Sequence, residues 1–294
     1  MTETETWTIG RLLEWTTAYL RRQGVESARL DAEVLLAEAR QCQRIDLYTQ
    51  FAEVASEPLR TAFRDLVRRR AEGIPVAYLV GRREFYSLAF RVTPDVLVPR
   101  PETEFVILSM LDRLRPRDST PGQLAIADVG TGSGVLAVCA ARELPHSHII
   151  ATDISPAALE VARGNAQTHQ VAERIDFVTT DLLEAIPPEP RFACVMSNPP
   201  YVKESEWLDL PRDVRDHEPR LALVGGPSGW EVIQRLIPQT AERILAGGWL
   251  IMEISPMIEE TVRQLLREDG RFDPIETVKD LAQRVRVLCA RKAH

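Results

Sequence analysis

Leu124-Ala125-Ile126-Ala127-Asp128-Val129-Gly130-Thr131-Gly132-Ser133-Gly134 reads as an apolar strand that runs into a glycine-rich turn. Val135–Glu143 follows as a helix, so the turn sits between strand and helix, the context that gives such a turn meaning. Outward from it the two element types keep alternating. His148–Thr152 is a second strand, and Ser155-Pro156 opens a helix over Ala157–Gln167. Ile175–Thr179 and Phe192–Met196 are further strands, the latter an apolar run without helical period. Trp230–Leu245 reads as a helix, Trp249–Ile254 as a fifth strand and Pro256–Arg267 as a helix. Ile275–Val278 and Arg284–Ala290 close the chain as an antiparallel pair. This alternation predicts an α/β fold, a mostly parallel sheet with helices on both faces.

Upstream the character changes. Residues 1–80 read as a helical domain. Thr8 caps a first helix with Ile9, Leu12, Leu13, Ala18 and Leu20 on its apolar face, closed by Gly24. Ser27 opens a second helix through Leu30, Val34, Leu35 and Ala39. A third runs from Pro58 to Glu72, with Leu59, Phe63, Leu66 and Val67 together, and Gly73 and Pro75 end it. Arg68-Arg69-Arg70 reads as a solvated helix end that suits the helix dipole. Residues 81–100 read as a β-hairpin linker between two domains, with Glu84–Val92 aromatic and β-prone and Asp95–Val98 following a Thr93-Pro94 turn. Pro99–Glu104 then opens a helix, Arg115–Gln123 reads as a polar loop, and residues 101–294 form the α/β domain.

The chain has 294 residues, 45% hydrophobic and 27% charged, with a formal charge of −7. That balance offers no global basic surface for nucleic acid. Residues 1–80 are near neutral, 11 Lys and Arg against 12 Asp and Glu. The acidic start Met1–Thr6 is wrong for a signal peptide, and the longest apolar run, near Ile244–Ile254, is too short to cross a bilayer. The four cysteines are scattered without a CxxC pair, so no metal site or disulfide framework is expected; Cys139 and Cys194 read as core thiols. His146 and His148, two apart on a loop, are a poor ligand pair. A cytoplasmic protein is expected.

Two stretches carry chemistry. The glycine turn is spaced Gly-x-Gly-x-Gly, unlike the dinucleotide fingerprint, and lacks the Lys-Ser/Thr of a P-loop. Asp153 follows Gly132 by 21 positions at the tip of the second strand. There a carboxylate can accept from two ribose hydroxyls. A nucleoside ligand without a pyrophosphate is implied, and S-adenosylmethionine fits. Asp181 and Leu182, after the third strand, are placed to border the adenine. The second stretch is Ser197-Asn198-Pro199-Pro200-Tyr201. The prolines stop the strand and leave Asn198 at its C-terminal tip. The Asn198 side-chain carbonyl and the Pro199 carbonyl can converge on one planar NH2 group, and Tyr201 offers a ring to pack on it.

Asp128–Gly134 with Asp153 resembles class I S-adenosylmethionine-dependent methyltransferases. Asn198-Pro199-Pro200-Tyr201 resembles the motif of enzymes that methylate planar nitrogens. Glu84-Phe-Tyr-Ser-Leu88, Val98–Glu104, Asp216–Pro219 and Ala222–Gly226 narrow this to the release-factor glutamine methyltransferases, the HemK/PrmC family, over nearly the whole chain. The resemblance implies a Rossmann-like, seven-stranded methyltransferase domain behind a small helical domain that helps hold the substrate. It implies N5-methylation of the glutamine in the Gly-Gly-Gln motif of class 1 peptide-chain release factors. It places Gly130, Thr131, Gly132, Ser133, Gly134, Asp153, Leu182 and Asn198 at S-adenosylmethionine, where position alone puts Asp181, and Asn198, Pro199, Pro200 and Tyr201 at the glutamine amide. Partners other than release factors are not implied: no direct nucleic acid, no membrane, and a monomer is expected. The chain departs from the family at Leu182, where an aromatic is frequent, at Ser255, where glycine is usual, and at Val285-Arg286 in place of Asp-Arg. The alternative is an amino-adenine nucleic-acid methyltransferase, against which stand the acidic balance and the absence of a basic insert.

Overall fold

The structure, a computed structural model, describes residues 6–118 and 124–294. Its helices are α1 (Ile9–Arg22), α2 (Ala28–Arg40), α3 (Arg44–Thr49), α4 (Glu57–Ala71) and α5 (Val76–Val80). A hairpin follows, β1 (Arg82–Phe85) and β2 (Leu88–Arg91), then α6 (Glu104–Asp118). The alternating region runs β3 (Leu124–Val129), α7 (Val135–Glu143), β4 (Ser147–Asp153), α8 (Pro156–Thr168), β5 (Ile175–Thr179) and β6 (Phe192–Ser197). After it come β7 (Val202–Lys203), α9 (Arg212–His217), β8 (Val224–Gly226), α10 (Glu231–Arg243), β9 (Ile244–Glu253), α11 (Glu259–Asp269), β10 (Phe272–Lys279) and β11 (Val285–Lys292). Two compact units result: residues up to Gly81 with Pro211–His217, and Arg82–Leu210 with Glu218–His294.

The helical unit is built on a core of Ile9, Leu13, Leu20, Leu35, Leu36, Leu47 and Phe63. Thr8 caps α1, its hydroxyl accepting from Arg11 N. The buried face of α1 takes Thr16 and Thr17 rather than the expected Ala18, which is exposed, and Leu30 on α2 is also exposed. Helix α2 instead buries Ala28, Ala32 and Ala37, so small residues let α1 and α2 pack closely. Arg70 corrects the reading of Arg68–Arg70 as a solvated cluster. Arg68 is exposed and pairs along its own helix with Asp65 and Glu72. Arg70 is buried, with Nε donating to Asp31 at 2.7 Å, Nη1 to the Ile74 carbonyl at 3.2 Å and Nη2 to Asp213 at 3.3 Å.

The second unit is a seven-stranded sheet in the order β10-β11-β9-β6-β3-β4-β5. Strands β9, β6, β3, β4 and β5 are mutually parallel, and β11 runs antiparallel to both β9 and β10. It is the fold of class I methyltransferases. Strand β6 is buried at every position, as parallel strands covered on both faces are. Cys194 and Met196 face a core shared with α6 and α7, while Val195 faces one shared with α10 and α11. Cys139 and Cys194 are buried in the first core.

The strand order reverses at β3: β4 and β5 lie to one side, β6 and β9 to the other. Such a switch point opens a crevice beyond the C-terminal strand ends. Both chemistry-bearing stretches leave the sheet there, since Val129 pairs with Ser197 and Ser197 Oγ donates to the Val129 carbonyl at 2.7 Å.

Several expectations are corrected. The hairpin turns at Tyr86-Ser87, both left-handed (φ 50° and 58°), as a two-residue hairpin turn of this hand requires. Asp95–Val98 forms no strand; its Val98 N is bonded by the Glu218 side chain and not by a strand neighbour. Pro101–Thr103 is a 3₁₀ turn ahead of α6, and α6 continues through Asp118 where a loop was expected; the rest of that loop, 119–123, lies outside the described residues, as do residues 1–5 of the acidic start. Ile244 and Leu245 belong to β9, not to α10, because Arg243 ends the helix and Gly247 (φ 71°) lets the strand begin early. Among the described residues no helix is long and apolar enough to cross a membrane.

Candidate active site

The crevice holds a cavity of about 270 Å³. Of the residues expected at the site, its wall contains Gly130, Thr131, Gly132, Ser133, Asp153, Asp181, Leu182, Asn198 and Pro200. Gly134, Pro199 and Tyr201 are not in the wall.

Gly130 and Gly132 take φ +72° and +53°, and a Cβ at either would meet nothing within 4 Å. They form a cradle whose empty space a side chain would fill, as a ligand pressed against backbone needs. Gly134 does a different job. Its Cβ would stand 3.0 Å from Ala162 Cβ, so the third glycine lets α7 start close against α8. Asp153 Oδ2 accepts from Gly132 N and Oδ1 from Ser155 N, both at 2.9 Å. Each oxygen keeps a further lone pair for a hydroxyl. Burial pushes the Asp153 carboxyl up, against these backbone bonds. Asp181 is paired with Arg235 at 2.5 Å, a wall residue with no sequence signature. Leu182 holds a left-handed backbone (φ 51°), which costs a non-glycine residue about 1–2 kcal/mol. Its neighbour Leu183 N is tied to Gln239 Oε1 at 2.9 Å. The donor set and the cradle fit S-adenosylmethionine.

Asp128 supports the cradle from behind. Its Oδ2 accepts from Thr131 Oγ1 at 2.6 Å and from Ala137 N at 3.0 Å, while Oδ1 has no partner among the described residues. Burial pushes this carboxyl up to about 7, opposed by those two bonds and helped by Asp153. Folding therefore favours the protonated form. The contribution is fully present below the unfolded value near pH 4 and is lost as pH rises through 7, on the order of 4 kcal/mol in all. Ligand-free protein should lose stability between pH 5 and 8, and Asp128→Asn should flatten that slope. Parallel denaturation profiles for the two proteins would overturn this.

The Asn198 end is built by parts far apart in sequence. Asn198 Nδ2 donates to Thr103 Oγ1 at 3.1 Å, Thr103 Oγ1 donates to Glu253 Oε2 at 2.6 Å, and Tyr201 Oη donates to Glu253 Oε1 at 3.1 Å. Thr103 and Glu253 are both buried. Burial pushes the Glu253 carboxyl up, while the two hydroxyls and Arg286 hold it down. The Tyr201 ring packs on the core shared with α10 and α11. The phenol hydroxyl thus serves Glu253, a role beside the packing of the ring on a bound amide that the sequence suggests. Behind the motif, a Cβ at Gly225 would lie 2.4 Å from the Pro200 carbonyl, and one at Gly229 2.6 Å from the Tyr201 carbonyl. The pairing of β7 with β8 brings these glycines onto the motif's backbone. Buried Glu218 accepts from Val98 N at 3.1 Å and Arg100 Nη2 at 2.6 Å, holding the Pro99 segment in the wall. Asn165 bonds the Ser133 carbonyl, the Arg91 carbonyl and Arg91 N, joining the cradle to the hairpin.

Residues 11–81 match the family described as PrmC N-terminal domain, and residues 108–210 the methyltransferase small domain. The Rhodopirellula baltica protein named release factor glutamine methyltransferase is 48% identical over 287 residues, 98% of this chain and 97% of that one. This chain belongs to the release factor glutamine methyltransferase family. The protein of that name from Koribacter versatilis is 38% identical, covering 97% of this chain and 99% of its own. A T. thermophilus 16S rRNA N2 G1207 methyltransferase, solved with AdoMet and guanosine, is 20% identical with a TM-score of 0.53, covering 72% of this chain and 49% of that one; this likeness is one of fold.

In this family member two departures from the usual pattern have physical explanations. Ser255 has φ −71°, open to any residue, and its hydroxyl accepts from Met257 N to start the next turn. Val285, where aspartate is usual, is buried in the core shared with α10 and α11, while Arg286, the arginine of the usual pair, is bonded to Asp280 at 2.8 Å and Glu102 at 3.4 Å and brings a cation near Glu253 and Tyr201. Sequence reasoning missed Thr103, Glu253, Glu218 and Arg235. Thr103 and Glu218 lie inside Val98–Glu104 and Asp216–Pro219, stretches that carry the resemblance without a role being read for either residue, and Glu253 shows as a carboxylate closing the apolar strand Leu250–Met252.

Proposed function

We infer that this release factor glutamine methyltransferase transfers a methyl group from S-adenosylmethionine to the side-chain amide nitrogen (N5) of the glutamine in the Gly-Gly-Gln motif of class 1 release factors. The observation that carries the reading is Asn198 in the cavity wall, with its Nδ2 committed to Thr103 and its Oδ1 without a partner among the described residues. An amide NH2 needs two acceptors at once. Asn198 Oδ1 supplies one from the wall; the reading assigns the other to the carbonyl of Pro199, the next residue, which is not itself in the wall. S-adenosylmethionine, when bound, supplies an electrophilic methyl carbon on a sulfonium; Gly130–Ser133 and Asp153 would hold it, with Asp181 and Leu182 at the adenine. The chain's own task is then positioning. Two acceptors on the amide hydrogens fix the plane of the nitrogen and raise its electron density as its lone pair leaves conjugation with the carbonyl. Positioning of this kind lowers a barrier by about 7–11 kcal/mol in favourable cases. No strong base is required before attack, and the nitrogen sheds its proton to water afterwards.

Asp153→Ala should weaken S-adenosylmethionine binding roughly 10–100-fold, the effect of removing a hydrogen-bonded charge. Calorimetric titration checks this, and an unchanged affinity would remove the ribose role. In the same reading residues 1–80 recognise the release factor. Trp15, 48% exposed and stacked on Tyr19 at 5.2 Å, is a candidate contact, since exposed aromatics are enriched at interfaces. The reading extends to a monomer acting in the cytoplasm, where release factors work. The deciding experiment is intact-mass spectrometry of a purified bacterial release factor after incubation with this protein and S-adenosylmethionine. A gain of one CH2 mapped to the Gly-Gly-Gln peptide is expected. No gain, with cofactor binding intact, would overturn the reading.

A further inference from the structure

Thr103 and Glu253 lie outside the Asn-Pro-Pro-Tyr motif, and Glu253 does not line the cavity. Their bonds nevertheless form a chain with a direction. Two hydroxyls donating to its two oxygens favour the ionised form of Glu253 against its burial, and an ionised carboxylate only accepts. At 2.6 Å the contact of Thr103 Oγ1 with Glu253 Oε2 has the length of a charge-assisted O–H···O⁻ bond. A threonine hydroxyl carries one hydrogen, and Glu253 takes it. What remains on Thr103 Oγ1 is acceptor capacity, so the Asn198 atom 3.1 Å away has to be the nitrogen. The Tyr201 phenol closes the other end by donating its own hydrogen to Glu253 Oε1, so the ionised carboxylate receives one hydroxyl hydrogen on each oxygen.

We propose that Thr103 and Glu253 are positioning residues that set the orientation of the Asn198 amide, so that its oxygen rather than its NH2 faces the cavity, and that this chain selects a glutamine amide over a glutamate carboxylate. The proposal rests on the assignment of Asn198 to the substrate amide. With the oxygen presented, the site accepts from an NH2 group and repels a carboxylate. With the amide turned over, the NH2 faces the cavity, and the preference reverses. A buried polar group left without its matching partner is the strongest discriminator a site has.

The test uses the full chain, S-adenosylmethionine, a release factor, and two Gly-Gly-Gln peptides, one with glutamine and one with glutamate in its place. Wild-type enzyme must first methylate the release factor; if it does not, the functional assignment fails and the positioning role falls with it. Given activity, Thr103→Val should lower kcat at least tenfold with donor affinity preserved, Thr103→Ser should restore most of it, and the glutamine-to-glutamate binding ratio should fall about tenfold in Thr103→Val. The double substitution Glu253→Gln with Tyr201→Phe reads the same polarity from the other end. Without the phenol, the introduced NH2 has Thr103 Oγ1 as its acceptor, which reverses the chain, so the binding ratio should fall here too. Should one variant fail to bind the donor, the other decides. An active wild type whose correctly folded variants keep both kcat and the binding ratio would overturn the proposal.

Discussion

Asn198→Ala should lower turnover on a release factor about 10²–10³-fold, the loss seen when one preorganised hydrogen-bonding group is removed from a reacting centre, while affinity for S-adenosylmethionine stays near that of the parent. The separation follows from where the side chain sits. The cradle of Gly130–Ser133 and the Asp153 carboxylate hold their geometry through bonds that do not involve Asn198: Gly132 N to Asp153, Thr131 to Asp128, Ser133 to Asn165. Truncating Asn198 removes an acceptor for one amide hydrogen and leaves Thr103 Oγ1 without its incoming bond. Neither change reaches the cradle. Single-turnover rates with the release factor, beside calorimetric titration of the cofactor, check the two halves. Retained turnover would remove Asn198 from the chemistry. Equal losses in turnover and cofactor affinity would point to collapse of the strand end instead.

Arg70→Ala should destabilise the helical unit by about 3–5 kcal/mol, as expected when one partner of a buried ion pair is removed. Arg70 is 8% exposed and Asp31 5%. The guanidinium joins α4 to Asp31 on α2, to the Ile74 carbonyl and to Asp213 on α9. Without it the Asp31 carboxylate keeps, among the described residues, the bond from Ser27 Oγ and remains as a buried charge. Arg70→Lys should recover little, because a single ammonium cannot reach three acceptors with the geometry of the planar fork. Hydrogen exchange in α2 and α4 of the full chain reads the effect locally and does not require all-or-none unfolding. Unchanged protection there would show that the ion pair adds nothing. Arg68→Ala is the control, since its partners Asp65 and Glu72 are exposed and on its own helix.

The parallel sheet was legible because each strand is a short apolar run bounded by turn residues. Leu124–Val129 and Ile175–Thr179 are read with their observed ends. The short pieces were not. Helices α3 and α5 are too brief to show a period, and β7 and β8 are strands only because Gly225 and Gly229 let them meet. Asp95–Val98 alternates like a strand but joins no ladder among the described residues, and a side chain, Glu218, bonds its Val98 N. Local pattern cannot report pairing, which is decided by the rest of the fold. The same limit applies to the site. Gly130, Asp153 and Asn198 are visible because their residue types are unusual at strand ends. Thr103 is one hydroxyl in an ordinary helix-opening turn, and 150 positions separate it from Glu253. Arg70 shows the converse error, in that three adjacent arginines look alike until helix geometry turns one of them inward.

The glycines that press on the carbonyls of Pro200 and Tyr201 limit how far the Asn-Pro-Pro-Tyr segment can be transplanted. Its four residues do not hold their own shape. They are clamped from outside by a second stretch of chain that approaches more closely than any side-chain-bearing residue allows, with Cβ positions 2.4 and 2.6 Å from the carbonyl oxygens. Grafting the tetrapeptide onto the strand end of another α/β sheet would therefore carry the chemistry's letters without its backbone. A working graft has to bring Val224–Gly229 along with it. The smallest portable unit is a pair of segments some twenty residues apart, and drift in either one constrains the other.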